Sequence, residues 1–98
     1  MSVKEIPIDS RLPADSEEIV RIFRRPDGKL FFMVQRMPFE DADPATWGLI
    51  LVDLAHHVAN SMEKNGPVPI ADILARIREI ETAEWADRTD TVERVLDA

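Results

Sequence analysis

Residues 17–36 decide the fold: Glu17-Glu18-Ile19-Val20-Arg21-Ile22-Phe23-Arg24, then Arg25-Pro26-Asp27-Gly28, then Lys29-Leu30-Phe31-Phe32-Met33-Val34-Gln35-Arg36. Two runs rich in β-branched and aromatic residues flank a turn sequence. Proline fixes φ for the first central position of a type I turn. Asp27 suits the second, and Gly28 supplies the left-handed residue that closes a bulged hairpin. An antiparallel β-hairpin over residues 17–36 is therefore predicted. Successive side chains of a strand point to opposite faces. Leu30, Phe32 and Val34 thus face one way and Phe31, Met33 and Gln35 the other, while Val20 and Ile22 oppose Ile19 and Phe23. Both faces of the hairpin are apolar. One helical layer covers one face, so the second needs another cover, either the preceding arm or a second copy of the chain.

Working outward, residues 1–16 carry Pro7 and Pro13 with Val3, Ile6 and Ile8, which reads as an extended arm with room for a third strand near residues 3–8. Downstream, Asp43-Pro44 is a helix start, with Asp43 as N-cap and Pro44 in the first helical position. The helix spans 43–65 and Asn65-Gly66-Pro67 stops it. Trp47, Leu51, Leu54, Val58 and Met62 form one stripe at helical spacing, and Leu49, Ile50, Val52 and Ala59 widen the apolar surface beyond what a surface helix of a small monomer needs. Gly48 lies among them, where a missing side chain admits the close approach of another backbone. A second helix over 69–86 places Ile70, Ile73, Leu74, Ile77 and Ile80 on one face. Asp90 and Glu93 have capping-box spacing, so 90–97 reads as a short C-terminal helix or a frayed tail. The expected architecture is α+β: one domain over 1–98, with a small antiparallel sheet packed against two to three helices.

Composition narrows the chemistry. The chain has 98 residues, 45% hydrophobic and 32% charged, with a net charge of -7. That is the profile of a globular domain, not of a disordered tail. With no cysteine, disulfides, thiolate nucleophiles and cysteine-based zinc sites are excluded. No apolar run approaches the roughly 20 residues that span a bilayer, and Met1–Ser10 lacks the apolar core of a signal peptide. The expected location is cytoplasmic, with no membrane partner. Residues 1–36 carry seven basic and six acidic side chains, against five and thirteen in residues 37–98. An acidic chain is repelled by nucleic acid at long range, which disfavours that partner.

Candidate site residues fall into three groups. The first is an interface: Phe31 and Met33 on the hairpin and Leu49 and Val52 on the first helix, serving a homodimer or another protein. The second is a basic patch of Arg24, Arg25 and Arg36, whose guanidinium forks suit carboxylate or phosphate in a small-ligand regulatory domain. The third is Asp53 with His57, four residues apart on one helix face, a spacing that suits two metal ligands or an enzyme site at a subunit interface. A metal needs three or four donors, and the others would come from Glu40, Asp41 or Asp43, or from a symmetry-related helix. An Asp–His helix pair is more often an ion pair or an interface contact. The three glycines stand alone, so no phosphate loop is present, and no serine lies in a nucleophile-elbow context. No cofactor is expected.

Pro26-Asp27-Gly28-Lys29 before Leu30-Phe31-Phe32-Met33-Val34, followed by Asp43-Pro44-Ala45-Thr46-Trp47-Gly48 opening an apolar helix, resembles short bacterial proteins grouped as domains of unknown function. The resemblance covers residues 17–66 and rests on a turn and a helix start. It implies no activity and no site residue. The homodimeric interaction module remains the leading functional expectation.

Overall fold

The Pro26-Asp27-Gly28 turn forms with the chemistry its residues dictate. The Gly28 amide donates to the Arg25 carbonyl at 2.9 Å and the Arg25 amide to the Lys29 carbonyl at 2.9 Å. Asp27 Oδ1 accepts from the Lys29 amide at 3.0 Å, and Gly28 adopts φ 87°. A computed structural model of the chain describes residues 2–35 and 43–88, together with the backbone of 92–97. The turn joins β1 (Val20–Arg24) to β2 (Leu30–Val34) in antiparallel register, from Val20 opposite Val34 to Arg24 opposite Leu30. One further bond, from the Gln35 amide to the Ile19 carbonyl at 2.9 Å, extends the ladder. A Cβ at Gly28 would meet nothing within 4 Å, so the cost of a side chain there is purely conformational. Gly28→Ala is expected to lower stability by about 1 kcal/mol, and Gly28→Asn by less, because asparagine tolerates the left-handed region. Urea denaturation of the two variants checks this.

The sheet has a third strand, but not the one the arm suggested. Residues 3–8 form no strand. Pro7 removes a ladder donor, and the spacing of Val3 and Ile6 breaks the two-residue period. The third strand is β3 (Val92–Asp97), parallel to β2, with Leu30 opposite Val92 and Val34 opposite Asp97. The sheet order is β1-β2-β3. This corrects the expected short helix or frayed tail over 90–97. The capping-box spacing of Asp90 and Glu93 opens a segment too short to pay the cost of helix nucleation. The free edge of β2 offers that segment backbone partners instead.

Between the strands run α1 (Pro44–Lys64) and α2 (Ile70–Ala86). Asp43 caps α1 as its residue type predicts, Oδ1 accepting from the Ala45 amide at 2.9 Å. At the other end the Asn65 amide donates to the Met62 carbonyl and Asn65 Nδ2 to the Ser61 carbonyl. Pro69 gives α2 no side-chain cap. Glu63, in the last turn of α1, supplies it across the bend: its Oε2 accepts from the Ile70 amide at 2.6 Å. This contact pins the helical hairpin closed with a charge at a helix N-terminus. Glu63→Ala is expected to cost about 1 kcal/mol and Glu63→Gln less, since the amide oxygen still accepts. Thermal melts followed at a helical circular dichroism band read both.

The core sits in the α1–α2 seam, where Ala59 (0%) and Ile73 (6%) are the buried side chains among the described residues. Ala55, Ile70, Leu74 and Ile77 are half-buried around them. Element contacts run from β1 to β2, β2 to β3 and α1 to α2, and among the described elements none joins sheet to helices. The α+β class holds, and among the described elements the sheet and the helical pair make no contact with each other. The radius of gyration is 15.5 Å, against about 13 Å for a compact chain of this length.

Candidate interaction surface

Paired residues on neighbouring antiparallel strands share a face. One face of the hairpin therefore carries Val20, Ile22, Phe32, Val34 and Leu30, with Arg24 at the turn end. All but Ile22 and Arg24 are half-buried, and Ile22 is 49% exposed. The opposite face carries Phe23, Phe31 and Met33 with Arg21 and Gln35. Here Arg21 Nε donates to Glu18 Oε1 at 2.5 Å, which raises the Arg21 pKa above its usual value. Gln35 Nε2 donates to Glu17 Oε1 at 2.6 Å, while Gln35 Oε1 is buried without a partner. No side chain of β1 or β2 is fully buried.

On α1 the outcome is equally open. Leu51, Leu54, Val58 and Met62 are 52%, 44%, 42% and 53% exposed. Their stripe was legible in the sequence, but α2 packs beside it, on the Ala55 and Ala59 side. Two alanines four apart present a flat strip on which a second helix approaches closely. That is the signal the larger residues masked. Met62 also borders a groove of about 550 Å³ with Val68, Ile73 and Ile77, so the stripe is continuous with the apolar face of α2 at the bend. On the other flank, Val52, Ala55 and His56 line a groove with Leu74 and Ile77.

The expected site residues are placed as follows. Phe31 and Met33 share the mixed sheet face, half-buried; Leu49 and Val52 lie exposed on α1 at 69% and 55%. The two pairs sit on elements that do not touch, so they form no single patch within one chain. Trp47 is half-buried, whereas Trp85 on α2 is 76% exposed. Nothing within 4 Å meets a Cβ built on Gly48, so among the described residues no backbone makes the close approach its sequence suggested. Arg24 and Arg25 are exposed at the turn. Arg36 falls outside the described residues, and its neighbour Gln35 lies at the end of β2 away from that turn. Asp53 and His57 are exposed on α1. Glu40 and Asp41 fall outside the described residues, and Asp43 spends Oδ1 on its cap. Among the described residues no group of three or more His, Asp or Glu side chains converges as a metal site would require. His56 turns back on its own helix, Nδ1 donating to the Val52 carbonyl at 2.9 Å.

In the arm, Asp9 accepts from the Arg11 amide at 2.8 Å and from its guanidinium at 2.6 Å and 3.0 Å. The Arg11 guanidinium, followed by its amide, holds the Asp9 carboxyl below the usual carboxylate range. Lys4, Ile6 and Ile8 border a groove with Val20, Ile22 and Phe23. Ile6 and Ile8 nevertheless stay 94% and 83% exposed, so the arm does not cover its own sheet. Among the described residues no helix is long and apolar enough to cross a membrane.

Comparison with known proteins agrees with this architecture. A solved structure from the photosynthetic bacterium Rhodopseudomonas palustrus CGA009, described as "a putative pyruvate dehydrogenase", shares 36% sequence identity and superposes with a TM-score of 0.66. The alignment covers 96% of this chain and 95% of that one. No curated protein matches. The likeness read from residues 17–66 extends across residues 4–89, which match the family profile of a domain of unknown function. This chain belongs to that family, DUF5076.

Proposed function

We propose that the chain works as a homodimeric protein-interaction module. The observation that carries this reading is surface area. The chain exposes 8982 Å², whereas a compact monomer of 11.2 kDa exposes about 5,700 Å². Regular elements contribute to it: Leu51, Leu54, Val58 and Met62 on α1 and Ile22 on β1 are each more than 40% exposed. Apolar patches of this extent mark association surfaces. The activity in the Rhodopseudomonas structure's description is that protein's and carries no part of this reading. Sedimentation equilibrium on the full chain tests the reading. A dimer mass at micromolar concentration is expected, and a monomer across the accessible concentration range would overturn it.

A further inference from the structure

Two apolar surfaces in this chain suit one another and do not meet. β2 and β3 are parallel neighbours joined through α1 and α2. A parallel pair needs such a crossover, and crossover helices ordinarily lie on the sheet they connect. Here no contact joins either helix to a described strand. The topology calls for a helical layer on the sheet, and the chain does not supply it to itself.

Area sets how much has to be covered. The surplus over a compact monomer is about 3,300 Å² per chain, the exposed arm over 2–18 included, and a standard interface takes ~800 Å² from each partner. Pairing α1 with the α1 of a second copy uses one helical face and leaves the sheet bare. Resting on the homodimer reading, we propose that the dimer is reciprocal: the Leu51–Leu54–Val58 stripe of each copy packs on the Val20–Ile22–Phe32–Val34 face of the other. Twofold symmetry then repeats every contact and covers both kinds of surface in both chains. The opposite sheet face is the poorer choice. It carries the Arg21–Glu18 ion pair and Gln35, whose desolvation offsets the gain from burying Phe31 and Met33.

Absence of cysteine makes thiol cross-linking a clean test. Ile22→Cys, on the sheet face, and Leu54→Cys, on the stripe, are made in separate full-length chains, one of them labelled with ¹⁵N. Both are refolded together and treated with a flexible bis-maleimide, which tolerates small errors of register. The mixed product should exceed either self-linked product severalfold by mass spectrometry. Predominant self-linking of the Leu54→Cys chain would overturn the reciprocal arrangement in favour of helix on helix, and so would a dimer that cross-links in no mixture. Sedimentation of the untreated variants separates these failures from failure of the homodimer reading, which would show as monomer.

Discussion

A glutamate at Leu54 is expected to leave the protein folded and monomeric. The side chain is 44% exposed in the single chain, so a carboxylate there keeps its water until a second copy arrives. In the dimer it would be buried against Val20, Ile22, Phe32 and Val34, with Arg24, the cation of that face among the described side chains, out at its turn end. An uncompensated buried charge costs on the order of 3–5 kcal/mol, and twofold symmetry imposes that cost at two places. Even the lower figure, taken twice, raises the dissociation constant by about four powers of ten. Sedimentation velocity should show the loss, with helical circular dichroism retained. A dimer that persists would show that the stripe lies outside the interface. Glutamate at Val52, on the other flank of α1, is expected to weaken the dimer less.

Ile73→Ala should act on the fold instead. Ile73 is buried at 6% in the α1–α2 seam, where Ala59 is fully covered, and it is the only large side chain among the described residues so enclosed. Truncation loses the transfer free energy of its methyl groups and leaves a cavity, together about 2–4 kcal/mol. In a domain of this size that corresponds to a fall in Tm on the order of 10–20 °C. Ile80→Ala removes a similar volume from the same helical face, at a site 46% exposed, and should shift the melt of the monomeric Leu54→Glu background far less. Equal shifts would show that the seam is not the core.

What the sequence disclosed was local. Pro26-Asp27-Gly28 specifies its turn within a few residues, and Asp43-Pro44 specifies a helix start by cap chemistry alone; both form as their residue types require. The features it withheld depend on distant partners. Asp90 and Glu93 carry a local helix signal, yet pairing with β2 prevails over it. The cap on α2 comes from Glu63 across the bend, in place of the residue preceding the helix. For the candidate surface, periodicity exposed two apolar faces but could not say how they lie relative to each other. The sequence groups Phe31 and Met33 with Leu49 and Val52 as contacts of one interface, whereas among the described elements no contact joins their strand to their helix. Small residues were undervalued: Ala55 and Ala59, not the bulky stripe, choose the side on which α2 packs.

The parallel pairing of β3 bears on how the chain is made. The odd-numbered residues of β2 bond to β1, a phase set by the Ile19–Gln35 and Arg25–Lys29 links. The even-numbered Leu30, Phe32 and Val34 therefore turn their backbone groups toward the β3 side. Leu30 finds Val92 only after both helices have been synthesised. Until then the ribosome holds a nascent chain whose most apolar strand has one bare edge, and a two-stranded hairpin is marginally stable by itself. Pairings so distant in sequence form slowly, and an unpaired apolar edge recruits other strands in the meantime. Translation therefore sets a window in which the β2 edge is open to strands of other chains, and it closes when β3 docks.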